Sequence, residues 1–271
     1  MSEDAQNADG LFDLPYAQRQ FVQFETAIAT SPQEEQRDPG GFGGLLKIAG
    51  PFNLGVLSAF LVGKALEKYQ EAQELGIDII PVPTQEAVAF NLPPGHPQKD
   101  VLYIAHPSDP TTYLPAADFH RMAFEHKFAE AIRLLTHLGA KTINVHHTRG
   151  WNKEFAGTLA AGIPQAEGTG SAGANSGSST ELLYEARLAG HDEPRLPENM
   201  VWYPHEPTWK SIAEARTEFG LERFNLKLQY TDDYGVNADL AIDVQNAGFS
   251  LGGSFEKHQK TVWSLDGVFG G

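Results

Sequence analysis

An α+β fold, with a largely antiparallel sheet and helices packed on one face, follows from three features of the chain. Apolar residues recur at spacings of three and four at Phe124, Phe128, Ile132, Leu135 and Leu138, and again at Trp209, Ile212, Ala213 and Phe219, which marks two amphipathic helices. A glycine closes each of them, Gly139 and Gly220, where a left-handed residue ends a helix. Strict period-two alternation follows both glycines, and period two means a strand with one buried face. The chain therefore carries two helix–strand–hairpin–strand units, one over 128–188 and one over 212–269.

Taken in order, residues 1–41 read as a flexible, acidic N-terminal segment with a short helix near Tyr16 to Ala29. Residues 42–271 read as a single α+β domain. Phe42 to Leu66 is the most apolar stretch, but Lys47, Asn53, Lys64 and Pro51 interrupt it. It falls short of the roughly twenty apolar residues that a membrane-spanning helix needs. The expected form is a buried helix from Asn53 to Leu75, closed by Gly76, with Leu57, Phe60 and Leu61 inside. Strands are expected at Ile77–Val82, Glu86–Leu92 and Val101–Ala105, with a turn at Pro93–Pro94–Gly95 and a proline-bound loop to Pro115.

In the first unit, Ile143, Val145 and His147 alternate with Thr142, Asn144 and His146. Residues 151–179 are rich in small side chains, and Leu182, Tyr184, Ala186 and Leu188 form the next strand, with Leu183 an exception on its polar side. Gly190 to Pro207 reads as a stiff loop anchored by Trp202, Tyr203 and Trp209. In the second unit, Thr208 is the expected N-cap of the helix. Phe224, Leu226, Leu228 and Tyr230 share one strand face, Val236 to Val244 alternates as a further strand, and Asn246–Ala247–Gly248 is a hairpin signal before Phe249, Leu251 and Phe255. Thr261, Trp263, Leu265 and Phe269 end the chain on one parity.

A net charge of −15 and a pI of about 5.0 argue against nucleic acid as a partner, because phosphate backbones are repelled. The absence of cysteine excludes disulfides, thiol catalysis and thiolate metal sites. With no signal peptide and no transmembrane helix in view, the expectation is a protein that is cytoplasmic as synthesised.

The chain lacks GxSxG, SxxK, HExxH and P-loop patterns, and Gly168–Gly173 has no lysine to make it a phosphate cradle. His126 and Glu130 lie one helical turn apart, whereas His146 and His147 point to opposite strand faces. Glu181 with Glu185, and Asp239 with Asp243, read as the solvated side of a sheet. No catalytic residue, metal ligand or cofactor is assigned.

The segments 151–179 and 235–257 combine small residues with alternating parity, which a membrane-inserting hairpin needs. Their plan resembles that of pore-forming proteins of the perforin and gasdermin kind, in which two such segments open from a central sheet. The resemblance implies a non-enzymatic, membrane-inserting protein whose partners are lipid and further copies of itself. Phe155, Leu159, Ile163, Leu240, Ile242, Phe249, Leu251 and Phe255 would face lipid. The alternative is a soluble protein-interaction or regulatory α+β domain with a regulatory protein as its partner, and an enzyme of unknown class is third. A test of the apolar stretch is Leu61→Asp. A buried, unpaired charge costs several kcal/mol, so the variant is expected to unfold, and a wild-type melting curve would place Leu61 at the surface.

Overall fold

The computed structural model describes residues 10–26, 64–151 and 181–270, without the side chains of 64–66 and 181. The boundary expected at residue 41 lies outside the described residues, as do Leu57, Phe60, Leu61 and most of 151–179. The fold is α+β, with two four-stranded, mostly antiparallel sheets. The chain divides into two compact units, each discontinuous in sequence: Met1–Arg121 with Tyr234–Lys257, and Met122–Asp233 with His258–Gly271.

The first unit contains α1 (Tyr16–Arg19), β1 (Phe21–Glu25), α2 (Lys64–Glu74), β2 (Ile79–Pro83), β3 (Leu102–Ala105) and β4 (Tyr113–Pro115). Its sheet runs β2-β1-β3-β4, and only the β1–β2 pair is parallel. Parallel neighbours need a crossover, and α2 lies on it. On one face Val22 and Phe24 pack with Leu11, Val82, Phe90, Tyr103 and Tyr113. The rings meet edge to face, with Phe24 at 5.1 Å from Phe90 and 5.4 Å from Tyr103. The other face carries Gln23, which the Tyr69 hydroxyl of α2 reaches.

The second unit holds most of α3 (Phe119–His137), then β5 (Ala140–Arg149), β6 (Glu181–Arg187), α4 (Pro207–Phe219) and β7 (Arg223–Tyr230). A short helix, α5 (Ala238–Asn246), belongs to the first unit, and β8 (Thr261–Phe269) returns to the second. A helix, a strand and a later strand thus recur in this order twice, while the hairpin expected in the first unit lies mostly outside the described residues. The sheet is β6-β5-β8-β7, antiparallel throughout. Trp263 of β8 is fully buried, with the α3 rings of Phe124 and Phe128 at 4.8 and 5.3 Å. Buried Arg216 of α4 donates to the carbonyls of Leu138, Leu221 and Gly270, and its guanidinium lies 5.0 Å from the Phe269 ring.

Several expectations are corrected. Val236 to Val244 is not a strand, because Asn237 caps a helix there by accepting from the Leu240 N–H at 3.0 Å. Ala241, Val244 and Ala247 are buried at a spacing of three, and this period prevails over the period of two in the same short run. The hairpin expected over 235–257 is therefore α5 followed by an irregular segment. Glu86–Leu92 is not a strand either, since a 3-10 turn occupies Thr84–Ala89 after Pro81 and Pro83 remove two ladder donors. The helix expected to reach Ala29 stops at Arg19, where the parity of Val22 and Phe24 begins β1.

Around α4, Glu206 is the N-cap in place of Thr208, because Pro207 takes the first helical position. Phe219 is 79% exposed, since at 100° per residue it falls roughly 80° off the stripe of Trp209, Ala213 and Arg216. In β6, the partners step from Val145↔Tyr184 to His146↔Leu182, which leaves Leu183 as the extra residue of a bulge. That bulge explains why Leu183, on the polar parity, is buried.

At Gly267 of β8 there is no room for a side chain. An added Cβ would stand 1.8 Å from the Thr142 carbonyl oxygen and 2.7 Å from the Phe224 ring. Gly267→Ala is expected to destabilise the protein by at least about 1–3 kcal/mol, against about 0.5 kcal/mol or less for Ser264→Ala three positions away on the same strand. Chemical denaturation of the two variants checks this, and equal midpoints would mean that the strands part easily at this point.

Candidate functional site: the open face of the second sheet

One face of the β6-β5-β8-β7 sheet is closed by aromatic residues, and the other is polar. Strand register sets the polar side chains in transverse rows. Glu185, Asn144, Asp266 and Asn225 form one row across all four strands. Leu182, His146, Ser264 and Lys227 form the next, and Arg187, Thr142, Val268 and Arg223 flank the first on its other side. Past a bulge in β5, Arg149 stands level with Val262 and Gln229.

Asp266 is the centre of the network. Its Oδ1 lies 3.0 Å from His146 Nε2, and its Oδ2 accepts from Asn144 Nδ2 at 3.2 Å. Accepting from Nε2 assigns that nitrogen the proton, so in the neutral ring Nδ1 is an acceptor. A serine, a histidine and an aspartate meet here, but the Ser264 hydroxyl donates to Asn225 Oδ1 at 3.4 Å and makes no bond to His146. The nucleophile–base contact of a hydrolase triad is therefore not made. Glu185 accepts from Arg187 Nε at 3.1 Å.

The first unit holds a second polar cluster. Lys68 Nζ lies 2.6 Å from Glu25, 2.9 Å from Gln23 Oε1 and 3.4 Å from Asp100, and 4.9 Å from the Phe249 ring centre. Tyr69 donates to Gln23 and, at 3.1 Å, to Glu25. Burial, and then the Glu25 carboxylate, raise the Tyr69 pKa, so the phenol stays protonated and continues to donate. With two donors on Oε1, the Gln23 amide orientation is fixed, and its Nε2 is left buried without a partner. The cluster ties α2 to β1 and presents no open reactive group.

Other buried polar and charged groups are consumed by structure. Both Glu130 oxygens accept backbone N–H groups, from Val201 at 2.8 Å and from Trp202 and Tyr203 at 2.8 and 2.7 Å. Glu130 is thus a loop anchor and cannot join His126 on a metal. Lys127 lies 2.5 Å from Glu206, donates to the Gln229 carbonyl at 2.7 Å and sits 4.8 Å from the Trp202 ring centre. His120 is buried, with Nε2 at 2.6 Å from the Val236 carbonyl. Among the described residues, no group of three or more His, Asp or Glu side chains could hold a metal ion.

The residues expected to face lipid are dispersed. Phe155, Leu159 and Ile163 lie outside the described residues. Leu240 is half-buried and Ile242 is 55% exposed, both on α5. Phe249 and Leu251 are buried, and the backbone around them bonds to Asp100, Leu102 and Ala117. Phe255 is half-buried, 6.5 Å from the His120 ring. Among the described residues no helix is long and apolar enough to cross a membrane. The polar face was within reach of the sequence, which gives the parity of Thr142, Asn144 and His146. Asp266 was missed, because only strand register brings it to them. No protein-family model, curated protein or solved structure matches this chain.

Asp109 offers a pH test of the local structure. Burial pushes its carboxyl up, but bonds from the Thr112 hydroxyl and from the Thr111 N–H and hydroxyl, together with His106, outweigh this and hold its pKa below 3.8. A depressed carboxyl contributes stability above its unfolded pKa and loses it as pH falls through the folded one. Asp109→Asn is therefore expected to cost about 1–2 kcal/mol near neutral pH, a gap that narrows below pH of about 4. Urea melts at several pH values check this, and a gap that widens in acid would refute the assignment.

Proposed function

We propose that this chain is a protein-recognition module that binds a partner protein on the open face of the β6-β5-β8-β7 sheet. The observation that carries this reading is the set of level polar rows, where Asn144, His146, Ser264 and Asn225 supply donors and acceptors from side chains alone. A packed aromatic face on the reverse keeps such a surface rigid, which lowers the entropy lost on binding. Network bonds around Asp266 hold His146 and Asn144 in place before any partner arrives.

The membrane-inserting reading asks more of the chain. Its second segment would have to unwind α5, extract Phe249 and Leu251 and break the backbone bonds of Ser250 and Leu251 before any barrel strand could form.

The experiment compares wild type with a His146→Ala/Asn225→Ala variant and with Glu218→Ala on exposed helix surface, by photo-crosslinking and affinity capture from the native cell extract. The expected outcome is a partner captured by wild type and Glu218→Ala, and reduced at least about tenfold on the double variant, with unchanged melting curves. A partner retained equally by all three proteins would reject this face. Dye release from liposomes by the wild-type protein would return the reading to membrane insertion.

A further inference from the structure

Resting on that reading, we infer that the partner segment is an extended acidic peptide, running along β7 with its carboxylates toward Arg223 and Lys227. The chain has 35 acidic and 20 basic residues, so its cations are surrounded by an excess of possible partners. On the open face this excess is reversed: Arg149, Arg187, Arg223 and Lys227 stand against Glu185 and Asp266. Both of those carboxylates are already engaged, Glu185 by Arg187 and Asp266 by His146 and Asn144. Arg149, Arg223 and Lys227 are exposed and make no ion pair among the described residues.

Geometry narrows the occupant. Arg223 and Lys227 share one face of a strand and are four residues apart, about 13–14 Å at strand rise. An extended peptide has the same rise, so carboxylates at alternate positions present their charges at a matching interval. β7 is an edge strand of its sheet, which allows a segment to lie alongside it. The described rows hold no Phe, Tyr or Trp, and His146 is held by Asp266, so single-stranded nucleic acid lacks a run of stacking platforms there.

The probe is a fluorescently labelled decapeptide of alternating Glu and Thr, titrated with the full chain and read by anisotropy. Saturable binding is expected at about 50 mM salt, weakening toward about 200 mM as charges are screened. Arg223→Gln/Lys227→Gln is expected to weaken it about tenfold with an unchanged melting curve, while Lys210→Gln on α4 leaves it unaltered. Absence of saturable binding overturns the inference, as does an equal loss with Lys210→Gln. Tighter binding of inorganic polyphosphate than of the peptide overturns the assignment to a peptide. None of these results depends on whether the extract partner is captured, so this inference and the recognition reading fail separately.

Discussion

The second sheet depends on β8. This last strand lies between β5 and β7, so Val145 pairs with Leu265 and Leu226 pairs with the same Leu265 across 120 and 39 residues of chain. The sheet's centre therefore forms only when β8 joins β5 and β7. Loop closure over such a separation is entropically costly and slows folding. Its compensation is concentrated on one parity: Thr261, Trp263, Leu265 and Phe269 are buried, and Trp263 also donates to the Trp151 carbonyl at 2.9 Å. Gly267 serves the same purpose from the backbone side, since any Cβ there would meet the Thr142 carbonyl.

Two buried charges of the second unit, Glu130 and Arg216, are spent on organising irregular backbone. Glu130 satisfies three successive N–H groups of the loop before α4. Arg216 gathers three carbonyls at the ends of α3, α4 and β8. Charge-assisted bonds of this kind are stronger than neutral ones, and a buried backbone group left unbonded would cost about 1–3 kcal/mol. Such residues resemble catalytic groups in a sequence, because they are charged and sit among apolar neighbours. Only their partners reveal that they are structural.

How far the sequence could be read follows from the same physics. Long periodic elements were legible: α3, α4 and strands β5, β7 and β8 appear where the spacing puts them, and Gly220, at φ of 68°, ends α4 as expected. Short elements were legible only in part. Over nine residues the spacings of two and three in Ala238–Asn246 are nearly indistinguishable, and the Asn237 cap decides between them. In the first sheet β2 and β3 fall on the expected Ile77–Val82 and Val101–Ala105, but β1 and β4, at five residues or fewer and without flanking signals, were not read as strands. Of the candidate site, parity exposed one strand's contribution, but a row across four strands needs register. The bulge at Leu183 shows why register cannot be counted off from parity alone.

The two edges of the second sheet bear on what the open face can accept. An edge strand offers unpaired backbone groups to any passing strand, including that of another copy. On β7 the exposed positions are Arg223, Asn225, Lys227 and Gln229, so two copies meeting edge to edge would bring like charges together. Lysine and arginine at such positions oppose self-pairing while leaving the edge open to a segment of opposite charge. The chain's net charge of −15 adds a long-range repulsion between copies. Both effects act against the same competitor, a second copy of the chain; the long-range repulsion also opposes an anionic strand, and only the local cations of β7 favour one. On the proposed recognition reading, a surface with level polar rows, unpaired cations and a charge-guarded edge would select partners by repulsion as much as by attraction.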